Sequence, residues 1–147
     1  MLDTDTCSYL MKAVSGALDQ RVAEAGVEDV CISVLTKAEL LFGVAVSPRP
    51  SRDRESLDQL LAYIQVLDLP EAAADHYAGI RADLQRKGKL IGANDLLLAA
   101  HARCLGLTLV TNNVREFSRV GGLNVENWVE SGSSGWRLGL GDPPSEP

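Results

Sequence analysis

Four acidic residues stand where a merely solvated carboxylate has no reason to be. Asp3 lies in Leu2-Asp3-Thr4-Asp5 and Glu39 in Thr36-Lys37-Ala38-Glu39-Leu40. Asp95 lies in Gly92-Ala93-Asn94-Asp95-Leu96-Leu97-Leu98-Ala99-Ala100, and Glu116 in Thr111-Asn112-Asn113-Val114-Arg115-Glu116-Phe117. Each borders an apolar stretch. Carboxylates at the ends of separate core elements point to one shared pocket, and carboxylates crowded together repel, so at least one is expected to have a raised pKa. A hard divalent cation, Mg²⁺ or Mn²⁺, relieves that repulsion through the oxygen ligands it prefers. Such an ion keeps several waters; carboxylates at its edge orient one for in-line attack on a phosphodiester, and its charge stabilises the developing negative charge. On this reading Asp3 and Asp95 are direct ligands, and Glu39 and Glu116 act through bound water or as base. Thr4, Asn112 and Asn113 are expected to hold a ligand or a phosphate oxygen.

Each acid taken alone has an ordinary explanation. Asp3 reads as an N-cap or turn residue. Glu39 reads as the return half of a capping box with Thr36. Asp95 in a first helical turn complements the helix dipole, worth ~0.3–1 kcal/mol at an exposed site. Glu116 reads as a solvated charge beside Arg115 and Arg119. The four together favour the pocket.

The elements that would position these residues follow from periodicity and punctuation. Met1-Leu2 reads as the end of a strand, followed by a helix from Thr6 to Val14 capped by Asp5 or Thr6. Residues 30–35 (VCISVL) form an apolar, β-rich run that suits a buried parallel strand. A helix over 36–46 follows, started by the Thr36–Glu39 box. Pro48 and Pro50 break the chain, and an amphipathic helix resumes over 51–66 with Leu57, Leu60, Leu61 and Ile64 on one face. A strand is expected over 65–69, a helix over 71–87 ended by Gly88, and an apolar helix over 94–105 closed by Gly106. Residues 107–111 (LTLVT) form the clearest strand, with one more short strand over 125–129. Strands alternating with helices imply a parallel sheet wrapped by helices, whose ligand crevice lies at the carboxyl ends of the strands. The expected domain spans 1–130, and the Gly-, Ser- and Pro-rich residues 131–147 read as a flexible tail.

The bulk properties narrow the function classes. With 147 residues the chain is about one domain, and its 46% hydrophobic and 23% charged residues are in the ordinary globular range. No apolar run reaches the ~18 residues of a membrane span. Asp3 and Asp5 stand where an export signal carries Lys or Arg, so a cytoplasmic location is expected. Cys7, Cys31 and Cys104 match neither disulfide nor zinc spacing and read as reduced, buried residues. A net charge of −6 argues against indiscriminate nucleic-acid binding. Residues 75–120 nonetheless carry seven Lys and Arg against four acids, a local +3 that leaves −9 elsewhere. That distribution suits a basic rim beside an acidic centre, or an ordinary mixed surface. His76 and His101 lie within helices and read as surface or core residues rather than ligands.

In order and spacing the four islands resemble the PIN-domain ribonucleases, specifically the VapC toxins of bacterial type II toxin–antitoxin pairs. The matching residues are Leu2-Asp3-Thr4, the Ile32-Ser33 strand leading to Thr36-x-x-Glu39-Leu40, Asn94-Asp95 with Ala99 to Ala102, and residues 109–117. The resemblance covers about residues 1–130. It implies an α/β fold with a twisted parallel sheet flanked by helices in a single domain, and Mg²⁺ or Mn²⁺ in an acidic pocket. It also implies endonucleolytic cleavage of RNA, transfer RNA foremost, a neutralising VapB-like antitoxin, and toxin dimerisation. Asp3 and Asp95 would be the principal ligands, with Glu39 and Glu116 completing the set and Asn113 the alternative to Glu116. Asp5 departs from the family, which commonly has Asn there. Two other readings compete. Asp3-Thr4-Asp5-Thr6 also fits the start of a haloacid-dehalogenase-like phosphatase with Asp3 as nucleophile and Asp5 as acid/base, but Asp95 lacks the acidic neighbour of that chemistry's paired motif and Gly141-Asp142 falls in the tail. A non-catalytic partner-binding domain of the same fold is the other.

Overall fold

A computed structural model of the chain describes residues 1–129; the expected tail lies outside the described residues. The chain opens at Leu2, whose neighbours on both sides are backbone. Its N–H donates to the Cys31 carbonyl at 2.9 Å, and the Asp3 N–H donates to the Val110 carbonyl at 3.0 Å. Asp3 then turns the chain into α1 (Thr4–Lys12) by accepting the Thr6 N–H on its side chain at 2.9 Å. The helix therefore starts two residues before the position expected from its apolar face, because the strongest N-cap is Asp3 rather than Asp5 or Thr6. A second helix, α2 (Gly16–Ala25), is capped by Ser15 and buries Leu18. Leu18, Val22 and Ala25 supply a seam with no counterpart among the expected elements.

β1 (Cys31–Ser33) is shorter than the expected strand, since Ser33 caps α3 (Val34–Ala45) by accepting the Leu35 N–H at 3.1 Å. α3 thus begins within the run VCISVL, and Thr36 is already inside it. α4 (Pro50–Leu61) has its proline at the first helical position, where a missing N–H costs nothing. Then come β2 (Gln65–Leu67), α5 (Ala73–Arg86), α6 (Ala93–Cys104), β3 (Leu109–Val110), the single-turn α7 (Val114–Phe117) and β4 (Val125–Glu126). All of these except α7 coincide with expected segments, the strands being shorter; α7 has no periodic run long enough to announce it.

β1 pairs with β2 and β3 with β4, both in parallel, and Leu2 bridges Ile32 on one side and Val110 on the other. The sheet therefore runs β2–β1–Leu2–β3–β4, its centre reduced to one residue. Two apolar clusters cover it. One gathers Ile80, Leu84, Leu96, Ala99, Leu109 and Phe117 where α5 and α6 pack. The other gathers Leu2, Cys7, Ile32, Leu40, Leu57 and Val110 under α1, α3 and α4, with Trp128 against it. All three cysteines are free; Cys7 and Cys31 are buried as expected, while Cys104 is half-buried. Among the described residues no helix is long and apolar enough to cross a membrane.

Candidate active site

The carboxyl ends of the parallel strands, Asp3 after Leu2, Ser33 ending β1 and Thr111 after β3, lie along one edge of the sheet, the edge where parallel α/β sheets place their ligand crevice. Asp3 is only 7% exposed, and both of its oxygens are engaged. Oδ1 accepts the Thr6 N–H, and Oδ2 accepts the Thr111 hydroxyl at 2.5 Å. Burial raises the Asp3 pKa, against those two hydrogen bonds, and Asp5 adds to the rise. Asp3 is thus both the helix cap of the ordinary reading and a carboxylate held rigidly at the crevice floor.

Glu39 is where the sequence expectation changes most. The capping box with Thr36 does not form, because Ser33 has taken the N-cap position; Thr36 is buried with no partner for its hydroxyl among the described residues. Glu39 instead accepts the Thr4 hydroxyl at 2.6 Å, across 35 residues. On the opposite wall Asn113 donates from its side-chain amide to Glu116 at 3.0 Å, and its backbone N–H donates to Thr111 Oγ1 at 2.9 Å. Thr111 therefore links Asp3 to the loop carrying Asn113 and Glu116, a role that a threonine ending an apolar strand does not announce in sequence. Asn112 is engaged elsewhere, its Oδ1 accepting from Asn127 at 3.2 Å.

Asp95 ties the set together. It occupies the first turn of α6, which Gly92 opens without a side-chain cap. Its pKa rises from 3.8 to about 6, first through burial and then through the charges of Glu116, Glu39, Asp3 and Asp5. The other three candidate acids, and Asp5, thus lie within electrostatic reach of Asp95. His101, on the same helix, is enclosed in the core, where its Nδ1 meets the Ser33 hydroxyl at 2.8 Å. Burial lowers its pKa, its Nε2 has no hydrogen-bond partner among the described residues, and the Ser33 hydroxyl that it meets also accepts the Leu35 N–H.

The donor set fits a hard cation. Among the described residues no three Asp, Glu, His or Cys side chains are already gathered closely enough to enclose an ion. Mg²⁺ does not require such a cage, since one or two carboxylates with water and substrate phosphate suffice. Asp3 and Asp95 meet that demand, and a carboxylate raised to about 6 is what an incomplete charge balance produces.

The expected basic rim of residues 75–120 is largely used for structure. Arg103 donates to His76 and to the Gly121 carbonyl, Arg119 to the Lys89 and Leu90 carbonyls, Arg81 to Tyr77, and Lys87 pairs with Asp83. The phosphatase alternative gains no support: Asp95 has no acidic neighbour in sequence to make its paired acidic motif, and Asp142 lies outside the described residues.

A short-stranded parallel sheet with acids at its carboxyl ends defines a class, and known proteins share the fold. The PIN domain family model matches residues 1–123, and the chain belongs to the PIN-domain family. Within that family it is similar to the VapC ribonucleases. It is 41% identical over 128 residues to the tRNA(fMet)-specific endonuclease VapC of Shigella flexneri, covering 87% of this chain and 96% of that protein. It is 42% identical over 130 residues to Ribonuclease VapC2 of Haemophilus influenzae, covering 88% and 97%. The fold superposes with a TM-score of 0.82 on a chain of VapBC2 from Rickettsia felis, solved bound to a DNA fragment from their promoter. That match is 34% identical and covers 87% of this chain and 97% of the other.

Proposed function

We propose that this chain is a metal-dependent endoribonuclease, the toxin of a VapBC-type pair, and that it hydrolyses a phosphodiester bond of transfer RNA. The observation that carries the reading is the hydrogen-bonded framework in which Thr111 holds Asp3, Thr4 holds Glu39 and Asn113 holds Glu116, all three acids being near enough to add to the rise of the Asp95 pKa. The names of the relatives support it. The VapC proteins of Shigella flexneri and Haemophilus influenzae are called endonuclease or ribonuclease, and the Rickettsia felis match is a VapBC complex.

Asp3 and Asp95 would hold Mg²⁺ or Mn²⁺, which supplies Lewis acidity and charge neutralisation at the scissile phosphate. Thr111 and the Thr6 N–H fix Asp3, so this ligand loses little freedom on binding. Thr4 fixes one oxygen of Glu39 and Asn113 one oxygen of Glu116, leaving each glutamate a second oxygen to orient water or take its proton. Hydrolysis forms a bond from that water's oxygen to phosphorus and breaks the bond to the leaving oxygen; one carboxylate would take the water's proton, and the leaving oxygen would take up a proton from solvent to leave as a hydroxyl.

A VapB-like antitoxin is the proposed protein partner, and a dimer of this chain within the complex completes the assembly. An apolar trough of about 310 Å³ between α1, α2 and α4, lined by Leu10, Val22, Leu60 and Tyr63, offers the antitoxin an anchoring surface. Phe42 of α3 and Val46, its C-cap, 68% and 63% exposed, are further apolar surface that a partner would cover.

The test is incubation of the purified chain with total transfer RNA in Mg²⁺ or Mn²⁺, then with chelator, beside Asp95→Asn. Discrete fragments that require the metal and disappear in the variant are expected, and their sequence identifies the RNA. Intact RNA across a broad panel, initiator transfer RNA included, would sink the reading.

A further inference from the structure

A polar groove of about 490 Å³ opens directly beside Glu39 and Thr4 and runs away from the acids between α1, α3 and α4. α1 contributes Thr4, Ser8 and Lys12, spaced by one helical turn each, so this wall extends about 12 Å from the acids. Arg49, the N-cap of α4, and Arg52 of its first turn line the other side, and Gly43 of α3 leaves the floor low. Two acids face the groove, and both are already engaged: Glu39 by Thr4, and Asp53 by the Ser47 hydroxyl. The side chains of Lys12, Arg49 and Arg52 make no hydrogen bond or ion pair among the described residues. In a chain of net charge −6, three such cations along one groove that ends at the candidate active site form a local feature with its own electrostatic character.

We propose that this groove is the binding track for the RNA strand flanking the scissile bond, with Lys12, Arg49 and Arg52 neutralising its phosphates and Ser8 donating to one of them. The proposal rests on the nuclease reading above. A strand whose scissile phosphate sits at Asp3 and Asp95 must carry its next phosphates past Glu39, where uncompensated acids would repel them. The groove offsets that repulsion on the side toward which the strand leaves. The apolar trough under Tyr63 adjoins this groove through Met11 and Ser56 but presents mostly hydrocarbon, which suits a protein partner rather than phosphate.

The experiment measures transfer RNA cleavage by wild type, Arg49→Gln/Arg52→Gln and Gly43→Leu across a range of salt concentrations, with melting temperature as the folding control. Antitoxin affinity is measured on the same samples. The two arginines are not buried, and a Cβ at Gly43 meets nothing within 4 Å, so both variants are expected to fold. The arginine variant should raise KM by about tenfold with kcat within about twofold, and flatten the slope of log(kcat/KM) against log salt by about 1.4, or 0.7 per lost contact. Gly43→Leu should raise KM by filling the groove. If wild type cleaves RNA and the variants match it in KM and salt slope, the groove proposal falls while the nuclease reading stands. If the arginine variant loses antitoxin affinity with cleavage unchanged, the cations serve the protein partner, and the proposal is likewise overturned. If wild type cleaves no RNA, both fall together.

Discussion

Asp95 sits in the first turn of α6, where a helix dipole favours its anion by ~0.3–1 kcal/mol, yet its pKa is pushed up to about 6. A rise of that size is worth about 3 kcal/mol before solvent screening, so burial and four neighbouring acids outweigh the dipole. The sign follows from the carboxyl being easier to protonate in the folded state than in the unfolded chain. Ionised Asp95 destabilises the metal-free protein at neutral pH, and the burden lifts as pH falls through about 6 toward 3.8. Asp95→Asn is therefore expected to stabilise the metal-free protein at pH 8 by on the order of 1 kcal/mol after solvent screening. The gain over wild type should shrink steadily toward pH 4, which also separates it from His101, whose depressed pKa is common to both proteins. Adding Mg²⁺ should raise the melting temperature of wild type and leave the variant nearly unmoved. Thermal melts across pH, with and without the ion, check both points; a constant difference between the proteins at every pH would count against coupled acids.

Among the helices, the caps decided what chemistry each one presents. Thr36 and Glu39 have the spacing of a capping box, and in an isolated peptide that arrangement would compete for Glu39. Ser33, held by His101 from α6, starts the helix three residues earlier and leaves Glu39 in the middle of α3, facing Thr4. α1 ends less comfortably. Its C-cap is Ala13 at φ 50, a left-handed conformation, and its N–H reaches back to the Leu10 and Tyr9 carbonyls. A Cβ in that region costs ~1–2 kcal/mol, while glycine carries a smaller entropic cost of its own. Ala13→Gly should stabilise the fold by roughly 0.5–1 kcal/mol, seen as a melting temperature about 1–4 °C higher. A decrease would show that the strain is absent. Ala13 lies outside the acid set, so cleavage should be unaffected.

Across the molecule, the join between the two halves of the sheet is a single residue. Leu2 has no exposed surface, bridges Ile32 and Val110, and packs into the cluster under α1, α3 and α4. Leu2→Ala should cost about 2–5 kcal/mol, the range for a buried leucine whose surroundings relax only in part. In urea the midpoint should fall with the slope unchanged; a loss below about 1 kcal/mol would mean that the halves are joined mainly through backbone. The same join places Asp3, the residue after Leu2, between the β1 and β3 sides of the crevice, so stability of the sheet and geometry of the site are coupled there.

Local periodicity, punctuation and residue type were enough to read the alternation of strands and helices, the four acids and the basic excess of residues 75–120. The order of islands by which the family is recognised was equally legible in the chain. Which partner each polar group found was settled only by packing. Asp3 became both a cap and a Thr111-bound carboxylate, Glu39 turned from Thr36 to Thr4, and the cations expected from residues 75–120 were taken up by carbonyls, Tyr77 and Asp83. The cations beside the acids came instead from Lys12, Arg49 and Arg52. Nothing local could assign these pairings, since a hydrogen bond between residues 35 or 108 positions apart is chosen by the packing that brings them together.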